Sequence, residues 1–211
     1  MLKKSLLILS FAVAIPAAIR AQAFEGTIEF KQYTAKDTTN NLFFIKGDKV
    51  RLDQFGKATN KAEGSNLIDL TAKTITMLSH SRKMFTSVVV NKNPAGNKID
   101  TVIKLKETKM LQGLKCIGYT VRSKSDNTEI TYWLANGNFN FFDPFVVLWN
   151  RKDKASVYYR SLKDTKGMMP MLSVETDLSG HNTGKMEVTK IEKKALTANT
   201  FEIPKEYKKY E

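Results

Sequence analysis

Between residues 110 and 135 the sequence, MLQGLKCIGYTVRSKSDNTEITYWLA, alternates with a period of two on both sides of a polar cluster. Ile117, Tyr119 and Val121 fall on one face of the first run and Cys116, Gly118 and Thr120 on the other. In the second run Ile130, Tyr132 and Leu134 oppose Glu129, Thr131 and Trp133, and Ser125-Asp126-Asn127 between them turns the chain through its own side chains. The pattern predicts a β-hairpin, and a hairpin alone is marginal in water, so the chain must build a wider sheet around it. Cys116, the single cysteine, has no partner for a disulfide; it reads as a small buried hydrophobe, and packing must hold the fold.

The flanking sequence supplies that sheet. Phe24, Gly26, Ile28 and Phe30 alternate with Glu25, Thr27, Glu29 and Lys31, the pattern of a strand with one buried and one wet face. Residues 34–41 read as a polar turn. Residues 42–46 and 49–53 flank Gly47-Asp48 as a hairpin, with Val50 and Leu52 inward. Residues 56–65 and 91–98 read as loops, whereas 66–70, 73–79, 82–90 and 99–105 read as strands. Further strands are expected at 156–160, 169–176 and 185–193, with 201–204 a short extended close. About ten or eleven short strands at this spacing predict a mainly β protein with one antiparallel sheet or barrel.

Residues 138–150, NFNFFDPFVVLWN, break the alternation. Asp143-Pro144 suits a helix start, aspartate as cap and proline at the first helical position. Phe141, Phe145, Leu148 and Trp149 then share a face, while Phe142, Val146 and Val147 make the remainder apolar too, so the helix is expected to be buried on all sides. The valines leave a buried strand over 145–149 as the alternative.

The first 23 residues have the three parts of a secretory signal: Lys3 and Lys4, an apolar run over 6–15, and Ala21-Gln22-Ala23 before the expected cleavage point. The run is too short to span a bilayer, and no later segment supplies the roughly 20 apolar residues required. The expected product is a single domain of residues 24–211, periplasmic or secreted. The chain carries a formal charge of +13, and losing the three cations of the leader leaves +10. The lysines are dispersed along the chain, as on solvated strand faces and protected edges, and nucleic acid is not the expected partner of an exported chain.

Several stretches together resemble a known group. They are Phe24-Glu-Gly-Thr-Ile-Glu-Phe30, Ile45-Lys-Gly-Asp-Lys-Val-Arg51, Gly113-Leu-Lys-Cys-Ile-Gly-Tyr119 with Tyr132-Trp133, Met169-Pro170, and Phe201-Glu-Ile-Pro-Lys-Glu-Tyr207. They look like exported proteins of Bacteroidota grouped under a domain of unknown function, which resemble more distantly the lipoprotein-localisation factor (LolA/LolB-like) superfamily. The resemblance implies a curved antiparallel half-barrel whose concave side is closed by a helical lid over an apolar cavity. Residues 138–150 would supply the lid. No catalytic residues come with the resemblance.

No G-x-S-x-G elbow, phosphate loop, C-x-x-C pair or metal-ligand spacing occurs, so neither an enzyme nor a cofactor or metal is expected. His80 and His181 lie in polar, turn-like surroundings and read as exposed loop residues. Met168-Met169-Pro170-Met171 reads as core or cavity lining ahead of a copper site. Two functions remain. One is a non-enzymatic carrier that holds a lipid or acylated molecule in an apolar concavity lined by Trp133, Phe141, Phe142, Phe145, Trp149 and Met169, with lysines near the rim meeting an anionic head group. The other is an envelope interaction or structural module with a filled core and a protein partner.

Overall fold

A computed structural model describes residues 22–56, 61–90, 98–150 and 153–210. Most of the expected leader, residues 1–21, and parts of the expected loops at 57–60 and 91–97 lie outside them. The described residues hold twelve strands, rather than ten or eleven, in one open, curved sheet. The first six strands are β1 (Gly26–Thr34), β2 (Thr38–Lys46), β3 (Lys49–Phe55), β4 (Ala62–Asp69), β5 (Thr74–Ser79) and β6 (Met84–Val88). They form a meander of neighbours. A second meander runs through β7 (Thr101–Leu111), β8 (Leu114–Ser123), β9 (Thr128–Asn136), β10 (Met168–Thr176) and β11 (Asn182–Lys193). The two meet where β1 pairs with β11, giving the order β12-β6-β5-β4-β3-β2-β1-β11-β10-β9-β8-β7. β12 (Lys208–Lys209) is the single parallel neighbour, added beside β6.

Local chemistry sets the turns and close contacts. Lys46 pairs with Lys49, and of the two residues between them only Gly47 takes positive φ, at 59°. A type II′ hairpin turn asks for glycine at its first central position, which is why the Gly-Asp order works here. At Gly118 an added Cβ would come within 2.7 Å of Leu105 Cδ1, so the Leu105 side chain of the outer strand β7 packs into the space that the glycine leaves. The expected alternation in the 110–135 hairpin holds: Val121, Ile130 and Tyr132 are buried on the inner face, and Cys116 is fully buried as well.

The sequence reading differs from the structure at four places. Thr38–Asn41, expected as turn, is the start of β2, because its backbone pairs with β1 throughout and, at Asn40 and Asn41, with β3 as well. Likewise β4 begins at Ala62, inside the expected 56–65 loop. Residues 156–160, expected as a strand, lie mostly in helix α2 (Lys154–Tyr159). The close at 201–204 is preceded by a 3-10 turn, Ala198–Phe201.

The expected helix forms as α1 (Phe142–Trp149). Phe142, Phe145, Val146 and Leu148 are buried, but Val147 is 62% exposed, so the helix is not covered all round. With α2 it forms a lid on the inner face of the sheet. Ile28, Phe43, Ile45, Val50, Leu52 and Ile68 make the floor beneath, all buried. Phe43 meets Phe145 edge-on at 5.1 Å between ring centroids and Phe141 at 5.8 Å. Edge contacts of this kind match the positive ring rim to the negative face and contribute about 1 kcal/mol beyond area burial.

Candidate functional site

Between α1 and the floor lies a cavity of about 160 Å³. Phe30, Phe43 and Leu52 form its base, and Phe142, Phe145, Val146 and Trp149 of α1 form its roof. Trp149 stacks on Phe145 at 5.6 Å and 24°. Met169 and Pro170 line one wall, two consecutive residues that a regular strand would point to opposite faces. The slip in register between Pro170 and Leu172, where proline lacks an N–H for the ladder, permits it. Gln32 and Gln54 stand exposed at the mouth beside Asp153 and Ser156, while Asn41 and Ser173 lie deeper, each 5% exposed.

Of the six residues expected to line a cavity, Phe142, Phe145, Trp149 and Met169 come together there. Trp133 does not join them. It sits on the opposite face of β9 from Tyr132, buried under Lys109, whose Nζ is 4.2 Å from the ring centroid. Phe141 precedes α1 as a buried wedge between Phe43 and Phe142, outside the cavity lining. Among the described residues no lysine or arginine lines the cavity, so the expected cationic rim is not seen there.

The lid is tied down at its margins by side chains that sequence reading passed over. Asp143 does not cap α1, whose N-terminal residue makes no side-chain cap. Instead its carboxylate accepts hydrogen bonds from the Tyr159 hydroxyl at 2.6 Å and the Thr165 hydroxyl at 3.1 Å, joining α1 to α2 and the following loop. Asp153 caps α2, accepting from Ser156 N at 2.9 Å. Tyr132, rising from β9, donates to Ala155 O at 2.6 Å. Tyr158 donates to Asp126 Oδ2 at 2.6 Å in the β8–β9 turn, and Lys154 donates to Thr128 Oγ1 at 2.5 Å. Burial, reinforced by the Asp126 carboxylate, pushes the Tyr158 hydroxyl up to about 12. Burial first, then Asp143, raises Tyr159 further, and burial also raises Tyr132. All three stay protonated as donors throughout the neutral range. The recoverable signal was Asp153, a good capping residue three positions before the backbone N–H of Ser156 that it accepts from, ahead of a stretch whose valine and tyrosines favour strand.

The other face of the sheet carries a different cover. Arg51 and Asp53 alternate with Val50 and Leu52 on β3 and so point away from the cavity. Arg51 clamps Asp53 through Nε at 2.7 Å and Nη2 at 3.0 Å, and its Nη1 donates to Thr200 O at 3.3 Å. Ser65, the direct neighbour of Asp53 on β4, donates to that carboxylate at 2.5 Å and lies 2.6 Å from His80 Nε2. His80 Nδ1 lies 2.6 Å from the Tyr207 hydroxyl. His80 is therefore a half-buried link to the C-terminal strap, not an exposed loop residue, while His181 is exposed, 3.0 Å from Asp177. Ser65 is 1% exposed, so this serine-histidine contact is closed to substrates.

Among the described residues there is no cluster of three or more His, Cys, Asp or Glu able to hold a metal, and no helix is long and apolar enough to cross a membrane. No curated protein matches the chain in sequence. Among solved structures, an uncharacterized conserved protein from Thermus thermophilus is similar over 87% of this chain and 88% of its own, with a TM-score of 0.54 and 10% identity. That likeness shows a shared fold. MucB in its complex with MucA from Pseudomonas aeruginosa has a TM-score of 0.49 at 12% identity, over 87% of this chain and 56% of that one. A putative outer membrane lipoprotein-sorting protein domain from Vibrio parahaemolyticus is similar at a TM-score of 0.32 and 11% identity, over 83% and 87% of the two chains. Residues 24–207, nearly the whole described sheet with its lid and strap, match a single family, and the chain belongs to it: DUF4412, a domain of unknown function.

Proposed function

We propose that this is a non-enzymatic binding protein of the bacterial periplasm, which takes an apolar group of a lipid, acylated molecule or similar amphiphile beneath α1. The observation that carries this reading is the cavity itself, with its aromatic roof, apolar floor and polar mouth. The secretory pattern of the leader supports the compartment. Cavities of about 150 Å³ lined by apolar side chains hold a benzene-sized molecule, whereas drug-sized ligands occupy roughly 300–1,000 Å³. The 160 Å³ space thus accepts a ring or a short alkyl segment as it stands, and a long acyl chain only if α1 swings outward. Each methylene buried contributes about 0.8 kcal/mol, so a short segment supports weak binding and a full chain tight binding.

Native mass spectrometry of protein purified without detergent from its own envelope, with an organic extract analysed beside it, tests the reading. A stoichiometric adduct identified as an amphiphile is the expected result. Phe145→Asp with Trp149→Asp should abolish the adduct in protein that still folds, and an adduct retained in this variant would remove the cavity from consideration.

A second reading, an interaction module, is favoured by β7. This strand of eleven residues lies at the edge of the sheet and is exposed at nearly every position, including Val102, Ile103 and Met110. Its free backbone groups offer a template for an added strand. A bare mass in the experiment above, together with a partner cross-linked through β7, would favour it.

A further inference from the structure

The two edges of the sheet are finished differently. On one side the chain covers β6 with its own end: β12 pairs with it at Met84 and Phe85, and Tyr210 N donates to Phe85 O at 2.8 Å. On the other side β7 is the last strand, and among the described residues nothing pairs with its outer backbone. Proteins commonly blunt such an edge with lysines and bulges, and β7 has both. Its register on β8 slips between Lys104 and Thr108, which leaves 101–104 and 108–111 as two regular segments. The first is the better template. Thr101, Val102 and Ile103 are β-branched, and Val102 and Ile103 are 43% and 51% exposed on opposite faces.

The charge of this edge is unbalanced. β7 carries Lys104, Lys106 and Lys109 against Glu107 alone. The Nζ atoms of Lys104 and Lys109 lie 5.9 Å and 4.2 Å from the ring centroids of Tyr119 and Trp133, and among the described residues no carboxylate pairs with any of the three lysines. Lysines of β11 are matched: Lys185 pairs with Glu187, and Lys190 with Glu29 and Glu192. A second copy of β7 would set lysine against lysine, and like charges across a strand pair are destabilising. A bilayer surface would match the charge and leave the backbone N–H and C=O groups of the edge unpaired. An extended acidic segment satisfies both.

Resting on the interaction reading above, we propose that residues 101–104 accept an extended acidic segment of a partner protein, which adds to β7 as a further strand and sets its carboxylates beside Lys104 and Lys106. Main-chain hydrogen bonds supply the affinity, and the lysines choose the partner. Lys104 shares a face with Val102 while Ile103 points the other way, so the fitting segment alternates acidic and apolar residues.

The test is amide hydrogen exchange, read by NMR on the purified protein with three capped octapeptides. One alternates glutamate and valine, one has lysine in place of glutamate, and one is the first peptide N-methylated throughout. The glutamate peptide should slow exchange at alternate amides of residues 101–104 and bind about 10-fold or more tightly than the lysine peptide at low salt. N-methylation should abolish the protection, because it removes the donors of the added strand. Lys104→Glu with Lys106→Glu, at two exposed positions, should reverse the preference. Equal protection by the glutamate and lysine peptides, or undiminished binding after N-methylation, would overturn the inference while the interaction reading stands. Protection by phosphatidylglycerol vesicles and by no peptide would overturn it in favour of a membrane surface. If nothing slows exchange along β7, the interaction reading through this strand fails with it.

Discussion

The sheet is covered on both faces, and the two covers are held by opposite physics. On the inner face, the lid of α1 and α2 rests on aromatic and aliphatic area, with Phe43, Phe142 and Phe145 at its centre and tyrosine hydrogen bonds only at its margins. On the outer face, the strap that ends in β12 contributes little buried apolar surface, Ile203 being 36% exposed, and is bound through Arg51, Asp53, Ser65, His80 and Tyr207. Apolar contact is non-directional and tolerates a shift of an ångström; a chain of hydrogen bonds does not. A cover that yields to a ligand, as proposed for the lid, is better built from the first material. A cover that stays in one register on β3, β4 and β5 is better built from the second.

Breaking the outer network should cost most. Asp53→Ala strands Arg51 and Ser65 beneath the strap, and removing one partner of such a pair costs about 3–5 kcal/mol. Urea denaturation checks this, and a loss under about 1 kcal/mol would show that the strap is not held through Asp53. Next in size, Phe145→Ala on the lid should destabilise by about 3 kcal/mol and enlarge the cavity. It should also increase uptake of a bulkier apolar probe, and unchanged uptake would show that Phe145 does not bound the space. Tyr207→Phe removes one hydroxyl from His80 and should cost about 1 kcal/mol. Its sharper readout is limited proteolysis, with cleavage of the terminal residues faster while the lid remains protected.

The smallest effect separates the two faces by pH. A tyrosine whose folded value is raised keeps its proton longer in the native state than in the unfolded chain, where the value is near about 10. The native state then holds more protons between about 10 and the folded value, so stability falls as pH rises through that window and is unaffected below it. Tyr158, at about 12, should contribute such a decline, and Tyr158→Phe should flatten part of it in alkaline melting curves. An unchanged slope would mean that the Tyr158–Asp126 bond does not bear on the lid's stability.

What the sequence revealed follows the same division. The inner face was legible because burial repeats: Ile28, Val50, Ile130 and Tyr132 each sit in an alternating run, and Asp143-Pro144 marked α1 although the aspartate serves another purpose. The outer network was not legible. Its members at 51, 53, 65, 80 and 207 are ordinary polar residues with no shared spacing, and only strand register brings Asp53 beside Ser65. The tail must then return across the sheet to bring Tyr207 to His80. Helix α2 was misread because Val157, Tyr158 and Tyr159 favour strand, and the lid packing that overrides this preference lies far away in the chain. Trp133 illustrates a further limit. Alternation placed it opposite Tyr132, but not on the side away from the cavity, since that depends on which face the lid covers.

The strand order has a consequence for how the molecule is made. β1 to β6 and β7 to β11 are two meanders whose internal pairings are all between neighbours in sequence, and such pairings close quickly. The seam between them is different: Gly26 pairs with Lys193, so the first strand waits for nearly the last before the sheet becomes continuous. Phe43 belongs to one meander and Phe145 to the other, and the space between them does not exist until that seam is zipped. A chain whose last strands have yet to pair therefore has no such cavity, and the appearance of the cavity reports that the sheet is complete.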